Sequence, residues 1–523
     1  MAKASCKNAL IDSLRDPSRY PHPVKTVRIL ETHISWVLLA GKFAYKIKKP
    51  VNLGFLDFTE LDKRQFYCDE EIRLNHRLAP QLYLDVVTIG GNLPRPIFGA
   101  EPILEYAVRM RRFPTAKLLD RLVSRNRLMP QHIDQLAVAL AGFHAKLQPA
   151  ALDTNYGTCM AIAAPARQNF LQLATILKAE DTETLATLQT VSEQEFTNCL
   201  DLFEQRRQAG FIRECHGDLH LGNIVLIKNT PVAFDCIEFD PKLRWIDIIN
   251  EIAFLIMDLH YRGRADLAFR FLNSYLEIIG DYHGLGVLRF YLGYRAMVRA
   301  KITAMRASQT SAESGLSECR DYLSLAARCL TKRLPALIIT YGLPGCGKTT
   351  ISQIVLEKLQ IIRLRSDVER KRLFGMAAHE SSGGGIYDVQ ATQRTYARLL
   401  QRARELLELS FPVIIDAAFL KSAQRQQFRA LAEEMQVPFI ILSIQTDTTL
   451  LHQRIRLRQK LGNDASEADI SVLKNLEIVC EPLQPGELGV TVEFVNNTTV
   501  MDASADHEVW NKLDRLLINS KLQ

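Results

Sequence analysis

The 523-residue sequence lacks several features that would place it in a particular class of protein. Its ten cysteines include no CxxC pair and no regular spacing, which favours a reducing compartment over a disulfide framework. The N-terminus has no apolar segment of the signal-peptide type, and no run reaches the about 18 apolar residues of a membrane span. These absences predict a cytoplasmic protein with no membrane partner.

A large excess of charge of one sign is also missing. The 65 basic and 58 acidic residues give a formal net charge of +7, which allows an anionic ligand but does not indicate a surface that coats nucleic acid. With 47% hydrophobic and 24% charged residues, the composition is ordinary for a globular chain. At roughly 150 residues per domain, the length predicts two to four domains.

One stretch, residues 216–238, stands out by the spacing of its polar residues, and it reads HGDLHLGN, then IVLI, a short turn and VAFDCIE. Phosphoryl transfer needs a carboxylate at the acceptor hydroxyl and oxygen ligands for magnesium. The spacing therefore predicts Asp218 as the catalytic base and Asn223 and Asp235 as Mg²⁺ ligands. The alternative is a polar hairpin in which His216 and Asp218 cap a turn.

At these residues the sequence resembles the aminoglycoside phosphotransferase family, which has a protein-kinase-like fold and carries HGDxxxxN followed by a metal-binding aspartate. The resemblance covers roughly residues 25–330. It implies an N-terminal extension over residues 1–24 and a kinase-like domain over residues 25–333. The N-lobe of that domain would span about 25–110 and its C-lobe about 111–333.

A predicted β-hairpin over residues 35–40 and 43–48 carries the lysine that such a domain requires. Lys46 is the first candidate, because its neighbours face the core on alternate positions and because Ala-Tyr-Lys resembles the family pattern. In the family, a lysine at this place binds nucleotide phosphates and pairs with a glutamate from the following helix. Lys48 and Lys49 are alternatives, and a solvated strand edge would account for all three lysines.

The helix predicted over residues 62–78 supplies the partner of this lysine. Glu71 has apolar residues at helical spacing, which places it near the buried edge of the helix, and we assign it to Lys46. No glycine-rich GxGxxG loop precedes Lys46. That departure from protein kinases is shared by the resembled family.

Two helices are predicted after the catalytic stretch. The first begins at Trp245, and its Asp247 is expected either to brace the catalytic loop or to be an ordinary acid at a helix N-terminus. The second lies within residues 290–306 and carries basic residues that are expected on a solvated face, namely Arg295, Arg299 and Lys301.

A second motif follows the apolar strand predicted over residues 336–341. It reads GLPGCGKTT, a full GxxxxGK[ST] that leads into a helix-forming run, and the alternative is a coincidental glycine turn. Backbone amides of such a loop bind phosphates, its lysine reaches the outer phosphates and its threonine hydroxyl ligates magnesium. The predicted nucleotide-binding residues are Gly342, Pro344, Gly345, Cys346, Gly347, Lys348, Thr349 and Thr350, with Thr349 as the metal ligand.

Four further strands alternate with helices after this loop, over residues 361–364, 412–415, 439–443 and 490–495, as a parallel sheet requires. Asp367 and Arg370 follow the first of these strands, at the sheet edge where ligands collect. Asp367 is expected to take a proton from an acceptor hydroxyl, and Arg370 to bind the acceptor. The alternative is that Ser366 and Asp367 cap the next helix.

Asp416 follows the strand at residues 412–415, in the Walker B position, and is expected to hold the Mg²⁺ water shell. Arg425, on the next helix, is expected to bind the acceptor. The helix predicted over residues 450–460 carries Arg454 and Arg458 on one face, because four residues separate them. They are expected to close over the phosphates as a lid, and solubilising surface arginines are the alternative.

This half, residues 334–523, resembles the small P-loop kinases, a group with gluconate kinase, the polynucleotide kinase domain and zeta toxins. The order of the two halves resembles bacterial proteins in which an aminoglycoside-phosphotransferase-like domain is fused to a P-loop kinase-like domain. The resemblance implies a multidomain α/β and α+β chain with two modules that bind ATP and Mg²⁺.

Each module is expected to phosphorylate a hydroxyl acceptor, and a nucleic-acid end is an option for the P-loop half. The alternative is that one module is a regulatory nucleotide sensor, or a weak ATPase, which controls the other. No residue pattern indicates the identity of either acceptor or the oligomeric state.

Overall fold

The computed structural model describes residues 9–54, 56–310, 313–378, 380, 382, 385–461, 466–497 and 507–519. The chain forms two compact units. The first unit comprises Met1–Gln189, Phe196–Asp258 and Tyr294–Cys319, and the second comprises Thr190–Glu195, Leu259–Gly293 and Arg320–Gln523. Among the described residues, no helix combines the length and the apolar character needed to cross a membrane.

After a short helical segment at residues 9–13, the described part of the chain continues with an antiparallel sheet and one long helix. The strands are β1 (Val27–Glu31), β2 (Ser35–Ala40), β3 (Phe43–Lys48), β4 (Tyr83–Asn92), β5 (Arg95–Phe98) and β6 (Ile103–Arg111), and helix α1 (Leu61–Asn75) lies between β3 and β4. The strand order is β1-β2-β3-β6-β4-β5.

Helices dominate the following segment, which also contains two short strand pairs. The helices are α2 (Leu119–Ser124), α3 (Pro130–Lys146), α4 (Cys159–Ala174), α5 (Thr182–Asn198), α6 (Leu200–Gln208), α7 (Ile248–Tyr261), α8 (Ala265–Ile279), α9 (Leu285–Thr310) and α10 (Glu313–Leu330). Strand β7 (Ile212–Glu214) pairs with β10 (Trp245–Asp247), and β8 (Ile224–Ile227) pairs with β9 (Thr230–Ala233).

The last part of the chain contains five parallel strands: β11 (Leu337–Tyr341), β12 (Ile362–Arg365), β13 (Val413–Asp416), β14 (Phe439–Gln445) and β15 (Thr491–Val495). Their order is β12-β13-β11-β14-β15. The helices are α11 (Lys348–Leu359), α12 (Ser366–Leu373), α13 (Val389–Glu408), α14 (Ser422–Glu434), α15 (Thr448–Leu461), α16 (Ile470–Ile478), α17 (Pro485–Leu488) and α18 (His507–Asn519). The predicted fold class, with a parallel sheet flanked by helices in the P-loop half, is confirmed.

Alternation along β3 positions the first site. Tyr45 and Ile47 are each 1% exposed and pack in a core on one face of the sheet, together with Leu38 of β2. Because successive residues of a strand point to opposite faces, Lys46 and Lys48 project from the other face. That face also carries Ala44, which packs in the core cluster to which α1 contributes.

Helix α8 belongs to the second unit and protects the edge of its sheet. The side chain of Asn273 accepts a hydrogen bond from the Arg363 N–H at 2.7 Å and donates one to the Ile361 carbonyl at 3.0 Å. Strand β12 is the outermost strand on this side, so these bonds satisfy backbone groups that would otherwise form an open edge. The predicted boundary at residue 334 lies after this helix.

Candidate active sites

The first candidate site centres on Lys46 of β3. Its Nζ donates to Glu71 Oε1 at 2.8 Å and to Asp235 Oδ1 at 2.6 Å. Burial alone would lower the pKa of Lys46, but the carboxylates of Asp235 and Glu71 raise that pKa well above its ordinary value. The lysine is therefore charged. The predicted pair with Glu71 is present, and the same ammonium group also contacts the carboxylate that follows β9.

A second buried lysine lies beside the first. The Nζ of Lys48 donates to Glu71 Oε2 at 2.7 Å and also to a carboxylate oxygen of Glu238. These three side chains are at most 3% exposed. The sequence pattern ranks Lys48 as an alternative to Lys46, whereas in the structure both lysines bind one glutamate. Glu238 was not predicted, because it lies 190 residues from Lys48 and no local pattern marks it.

Helix α7 holds the backbone of the loop that carries Asp218. The fully buried Glu251 accepts hydrogen bonds from the N–H groups of His216 at 2.7 Å and Gly217 at 3.0 Å. Asp258 accepts another from the Leu221 N–H at 2.9 Å. Buried carboxylates need such donors, so these bonds fix the loop against the helix.

The predicted brace, Asp247, has other partners. It ends strand β10 and accepts hydrogen bonds from Arg206 at 2.7 and 2.8 Å. It also accepts one from the Ile249 N–H at 2.8 Å, as expected of an acid at a helix N-terminus. The helix begins at Ile248 rather than at Trp245. The carboxylate that braces the loop is therefore Glu251, one turn after Asp247. Arg295 also differs from its prediction, because it is buried and donates to the Gly217 carbonyl at 3.2 Å.

Asp218 and Asn223 are joined by hydrogen bonds across the loop. The Nδ2 atom of Asn223 donates to Asp218 Oδ2 at 2.8 Å and to the backbone carbonyl of Asp218 at 3.0 Å. The Oδ1 atom of Asn223 is therefore the acceptor atom of the amide. Burial alone would raise the pKa of Asp218, but His220, His216 and Arg295 hold it below its ordinary value. Its side chain is 36% exposed. Asp218 is thus an ionised carboxylate that is exposed to solvent.

Asp235 has an unusual backbone conformation. Its φ of +66° lies in the left-handed region, which residues other than glycine seldom adopt. Its N–H donates to the Tyr83 hydroxyl at 3.2 Å, and the N–H of Cys236 donates to Asn75 Oδ1 at 3.0 Å. Such strain persists where surrounding contacts hold it in place. Here it presents a carboxylate that is 43% exposed beside Lys46.

The β8–β9 hairpin brings Asn223 and Asp235 to the same end. Ile224 pairs with Ala233 in the hairpin register, and the Phe234 N–H donates to the Asn223 carbonyl at 2.9 Å. The amide oxygen of Asn223 and the carboxylate of Asp235 are hard oxygen ligands of the kind that Mg²⁺ prefers. These two residues therefore fit a magnesium ion.

The second candidate site is the glycine loop between β11 and α11. Gly347 has a φ of +99°, and a Cβ there would lie 2.2 Å from Asn496 Nδ2. At Gly342 a Cβ would lie 2.8 Å from the Ile444 carbonyl oxygen. Both positions therefore require glycine. Asn496 also donates to the Cys346 carbonyl at 2.8 Å, which fixes the loop from the end of β15.

Lys348 begins α11 and extends back over the loop. Its Nζ donates to the carbonyls of Gly342 and Leu343, both at 2.9 Å. Thr349 lies in the first turn of α11, where the free N–H groups of a helix N-terminus favour phosphate. The other predicted loop residues, Pro344, Gly345 and Thr350, belong to the same loop and first turn.

Asp416 lies where β13 ends and is 5% exposed. Arg365 is its register partner on β12, with Nε 3.7 Å from Asp416 Oδ2, and Ser352 Oγ donates to the same oxygen at 3.4 Å. Strand β13 is the neighbour of β11, so Asp416 lies at the sheet edge from which the glycine loop leaves. Its oxygen atoms suit Mg²⁺ or the ion's water shell.

Helix α12 carries Asp367 and Arg370 on one face, since they are three residues apart. Arg365 is the N-cap residue, and Asp367 lies in the first turn rather than at the cap. Arg370 is 6% exposed, and its Nη1 donates to the Ile386 carbonyl at 3.0 Å and to Thr392 Oγ1 at 3.2 Å. Both residues follow β12 at the edge where a ligand of such a sheet would bind.

Arg425 has a structural role instead of the predicted contact with an acceptor. Its exposed fraction is 0%, and it donates to the Glu487 carboxylate at 2.8 and 3.0 Å. It also donates to three backbone carbonyls, those of Phe419, Glu481 and Pro482. A guanidinium has five N–H groups, and these bonds occupy all of them.

Arg454 of α15 contacts the glycine loop. Its Nη1 lies 3.4 Å from the Gly345 carbonyl, and its Nη2 donates to Asn496 Oδ1 at 3.1 Å. Asn496 was missed, because a single asparagine after a strand carries no periodic signal. The side chain of Arg458 falls outside the described part of the chain.

Family comparisons assign both halves. A model of the phosphotransferase enzyme family matches residues 63–288, and a model of the AAA domain matches residues 337–483. The uncharacterized proteins Rv2004c of Mycobacterium tuberculosis and Mb2027c of Mycobacterium bovis are each 31% identical over 459 residues, which cover 86% of this chain and 90% of the relative. The chain belongs to the family of these proteins. In this member, a phosphotransferase domain precedes a P-loop domain.

Two solved structures show a weak similarity to parts of this chain. The GDP complex of aminoglycoside 2'-phosphotransferase-IIIa is 14% identical, covers 61% of this chain and 99% of its own, and has a TM-score of 0.37. A gluconokinase from Sinorhizobium meliloti 1021 is 20% identical, covers 36% of this chain and 97% of its own, and has a TM-score of 0.26. The family models support ATP-dependent phosphotransfer as the general chemistry of this chain.

Proposed function

We propose that the protein is a magnesium-dependent phosphotransferase in which each of two modules binds ATP and transfers its γ-phosphate to a hydroxyl group. The two modules would span residues 25–333 and 334–523. The observation that carries the proposal is the arrangement in the first unit. The ionised Asp218 is hydrogen-bonded to Asn223. The β8–β9 hairpin begins after Asn223 and leads to Asp235, which lies beside the charged Lys46.

In the first module, Lys46 binds phosphate oxygens of ATP and is held in position by Glu71. Asp218 orients the acceptor hydroxyl and receives its proton as the new bond to the γ-phosphorus forms. The bond from that phosphorus to the β–γ bridging oxygen breaks, so the products are the phosphorylated acceptor and ADP. Asn223 and Asp235 would hold Mg²⁺, which when bound neutralises charge on the phosphates.

In the second module, the glycine loop and Lys348 bind the phosphates of ATP. Thr349 and Asp416 would hold Mg²⁺ or its water shell, and Arg454 adds positive charge at the loop. Asp367 receives the proton of the second acceptor, which Arg370 helps to bind. The acceptor of this module is a small molecule or a nucleic-acid end.

The test is a screen with ATP labelled at the γ-phosphate over aminoglycosides, sugars, nucleosides and oligonucleotides with a free 5′-hydroxyl. In a protein with Lys348→Ala, which disables the second module, Asp218→Asn should reduce transfer roughly 100- to 10,000-fold, because it removes the base. Its affinity for ATP should change less than about threefold, because the residue acts on the acceptor.

Product analysis distinguishes catalysis from sensing. A kinase puts the label on an acceptor, whereas a nucleotide sensor or weak ATPase releases free phosphate or leaves ATP intact. Undiminished transfer by Asp218→Asn in the Lys348→Ala protein would remove Asp218 from the mechanism.

A further inference from the structure

One histidine of the loop that carries Asp218 has no role in the proposed mechanism. His216 and His220 lie on either side of Asp218, but their ring nitrogens have different partners. His216 Nδ1 accepts a hydrogen bond from the Asp218 N–H at 3.3 Å, and His216 Nε2 lies 2.8 Å from the Phe234 carbonyl. Both nitrogens of that ring hold backbone groups. His220 Nε2 instead lies 3.5 Å from Oδ2 of the Asp218 carboxylate. His220 is therefore the histidine of this loop that reaches the side chain of the proposed base.

The other edge of the His220 ring determines where its proton lies. Nδ1 accepts a hydrogen bond from the Gly222 N–H at 3.0 Å. A ring nitrogen that accepts a hydrogen bond carries no proton, so the proton of the neutral ring is on Nε2. The ring packs edge-on against the buried Phe254 ring, with 5.4 Å between the centroids, and a Cβ at Gly222 would lie only 2.9 Å from His220 Cε1. These contacts hold the ring with its Nε2–H group towards Asp218.

The two oxygens of the Asp218 carboxylate have different surroundings. Oδ2 accepts a hydrogen bond from Asn223 Nδ2 at 2.8 Å and lies beside His220 Nε2. Across the described residues, Oδ1 accepts no hydrogen bond, and the side chain is 36% exposed. Two donors on one oxygen restrict rotation of the carboxylate, and such support is what holds a catalytic group in a productive geometry. Oδ1 is therefore the oxygen that remains for an acceptor hydroxyl.

We infer that His220 is a positioning residue for the transfer reaction of the first module: its Nε2–H holds Asp218 Oδ2, so that Oδ1 faces the acceptor hydroxyl. This inference rests on the function proposed for that module. Oδ1 receives the proton of the hydroxyl as the bond to the γ-phosphorus forms. Because Nε2 already carries a proton, His220 does not take that proton, which passes from Asp218 to solvent after the product leaves. The 3.5 Å separation should shorten when nucleotide and acceptor bind, since catalytic hydrogen bonds are often long in the free enzyme.

Two substitutions separate the roles of the two ring nitrogens. The amide of His220→Gln extends about as far as Nε2 and can donate to Asp218, but it has no acceptor at the Nδ1 position. The amide of His220→Asn ends near the Nδ1 position, where its oxygen can accept the Gly222 N–H, and it offers no donor to Asp218. Glutamine therefore preserves the contact with the base, whereas asparagine preserves the turn.

Rates are measured in the Lys348→Ala protein with ATP labelled at the γ-phosphate and the screened compound that takes most label, or water if none does. His220→Asn should lower kcat roughly 10- to 100-fold, because misplacing a reacting group by about 1 Å has an effect of that order. Its KM for ATP should change less than about threefold, because His220 acts on the base and not on the nucleotide. His220→Gln should keep kcat within about fivefold of the parent value, although its melting temperature falls because the turn loses its cap.

The control is His132→Gln, which changes a histidine with the same bonding pattern elsewhere in the first unit. His132 Nδ1 accepts a hydrogen bond from the Met129 N–H at 3.1 Å, and its Nε2 lies 3.1 Å from Asn229 Oδ1. Asn229 lies in the turn of the β8–β9 hairpin, at the end away from Asn223. This substitution should lower the melting temperature and leave kcat unchanged.

NMR of nitrogen-labelled histidine rings gives a readout that does not depend on transfer. Comparison of parent and His220→Gln spectra in alkaline buffer identifies the His220 signals, which should show a protonated Nε2 and an unprotonated Nδ1. A proton on Nδ1, parental kcat in His220→Asn, or equal losses of kcat in the two variants would each overturn the inference. The expected tautomer without transfer of label to any compound or to water would support the placement of Asp218 by His220 and contradict the proposed kinase activity.

Discussion

Five charged side chains determine the properties of the first site at the residue scale. Lys46 and Lys48 share the two oxygens of Glu71, while Glu238 and Asp235 each bind one lysine. Three carboxylates against two ammonium groups leave one excess negative charge, which favours a bound cation. Because the cluster is buried, removing one partner of an ion pair leaves an uncompensated charge, which is costly. The ion pairs therefore hold these side chains in position.

Glu238→Gln tests this coupling. Removing one of the two carboxylates of Lys48 should lower the free energy of unfolding by about 1–3 kcal/mol, less than for a fully stripped buried charge, because Glu71 remains. Denaturant titration measures the loss. Lys49→Gln is the matched control, because its partner Glu31 is 64% exposed, and it should cost less than about 1 kcal/mol. Unchanged stability in Glu238→Gln would show that the cluster is not coupled.

Residues were predictable from the sequence where a motif fixes their spacing. Lys46 and Glu71 belong to neighbouring elements, and their pair could be predicted from strand alternation and helix periodicity. Glu238 and Asn496 could not be predicted, because their partners are distant in the chain and only the fold brings them close. Of the two expectations for Asp247, the loop brace was wrong and the acid at a helix N-terminus holds, because the helix begins three residues later than predicted and Glu251 is the carboxylate that meets the loop.

Periodicity determined what could be predicted at the element scale. The β2–β3 hairpin has the predicted bounds, because apolar alternation and a Gly-Lys turn mark it. The strands of the parallel sheet lie within two residues of their predicted ends, since buried parallel strands form apolar runs. Strands β4 and β5 were missed: β4 shows a register irregularity at Ile89 and Gly90, and β5 contains Pro96. The strand order depends on long-range packing that no local pattern encodes.

Gly347→Ala tests the glycine loop. The positive φ and the 2.2 Å approach of a Cβ to Asn496 Nδ2 should distort the loop and remove most nucleotide binding by the second module. Fluorescent-nucleotide titration in a protein with Lys46→Met, which isolates this module, measures the loss. The control is Gly489→Ala, because Gly489 has a φ of −64° and a Cβ added there would meet no atom within 4 Å among the described residues. Normal binding by Gly347→Ala would contradict the loop geometry.

Helix α3 contains a buried histidine that makes stability depend on pH. Burial, together with the positive charges of Arg213 and Arg77, lowers the pKa of His144 to about 3. An unfolded histidine has its ordinary pKa of about 6.5, so below that pH the unfolded chain binds a proton that the folded chain does not. Stability should therefore fall, by up to about 1.4 kcal/mol per pH unit, as pH falls from about 6.5 towards 3.

Measuring how the free energy of unfolding changes with pH in variant and parent proteins tests this effect. His144→Leu should show a shallower fall of the free energy of unfolding between pH 6.5 and 4 than the parent protein, whatever its stability at pH 7. His33→Gln, which changes an exposed histidine, should keep the parental slope. Identical slopes for His144→Leu and the parent would mean that this histidine does not contribute.

The whole molecule contains one proposed nucleotide site in each of two compact units. Sequence predicts both sites, but not the composition of the units. Helix α8 precedes the predicted boundary at residue 334, yet it belongs to the second unit and bonds to the edge of β12 through Asn273. A domain boundary chosen from motifs alone would therefore leave helix α8 out of the P-loop domain, although this helix satisfies backbone groups at the edge of the parallel sheet.

The number of nucleotides bound per chain tests the central claim most directly. Calorimetric titration of the full chain with Mg²⁺ and a non-hydrolysable ATP analogue should give two sites. Lys46→Met should remove one site and leave Glu71 paired with Lys48, and Lys348→Ala should remove the other. The double variant should bind none. A single site in the parent protein, or one that neither substitution affects, would contradict the account of two independent ATP-binding modules.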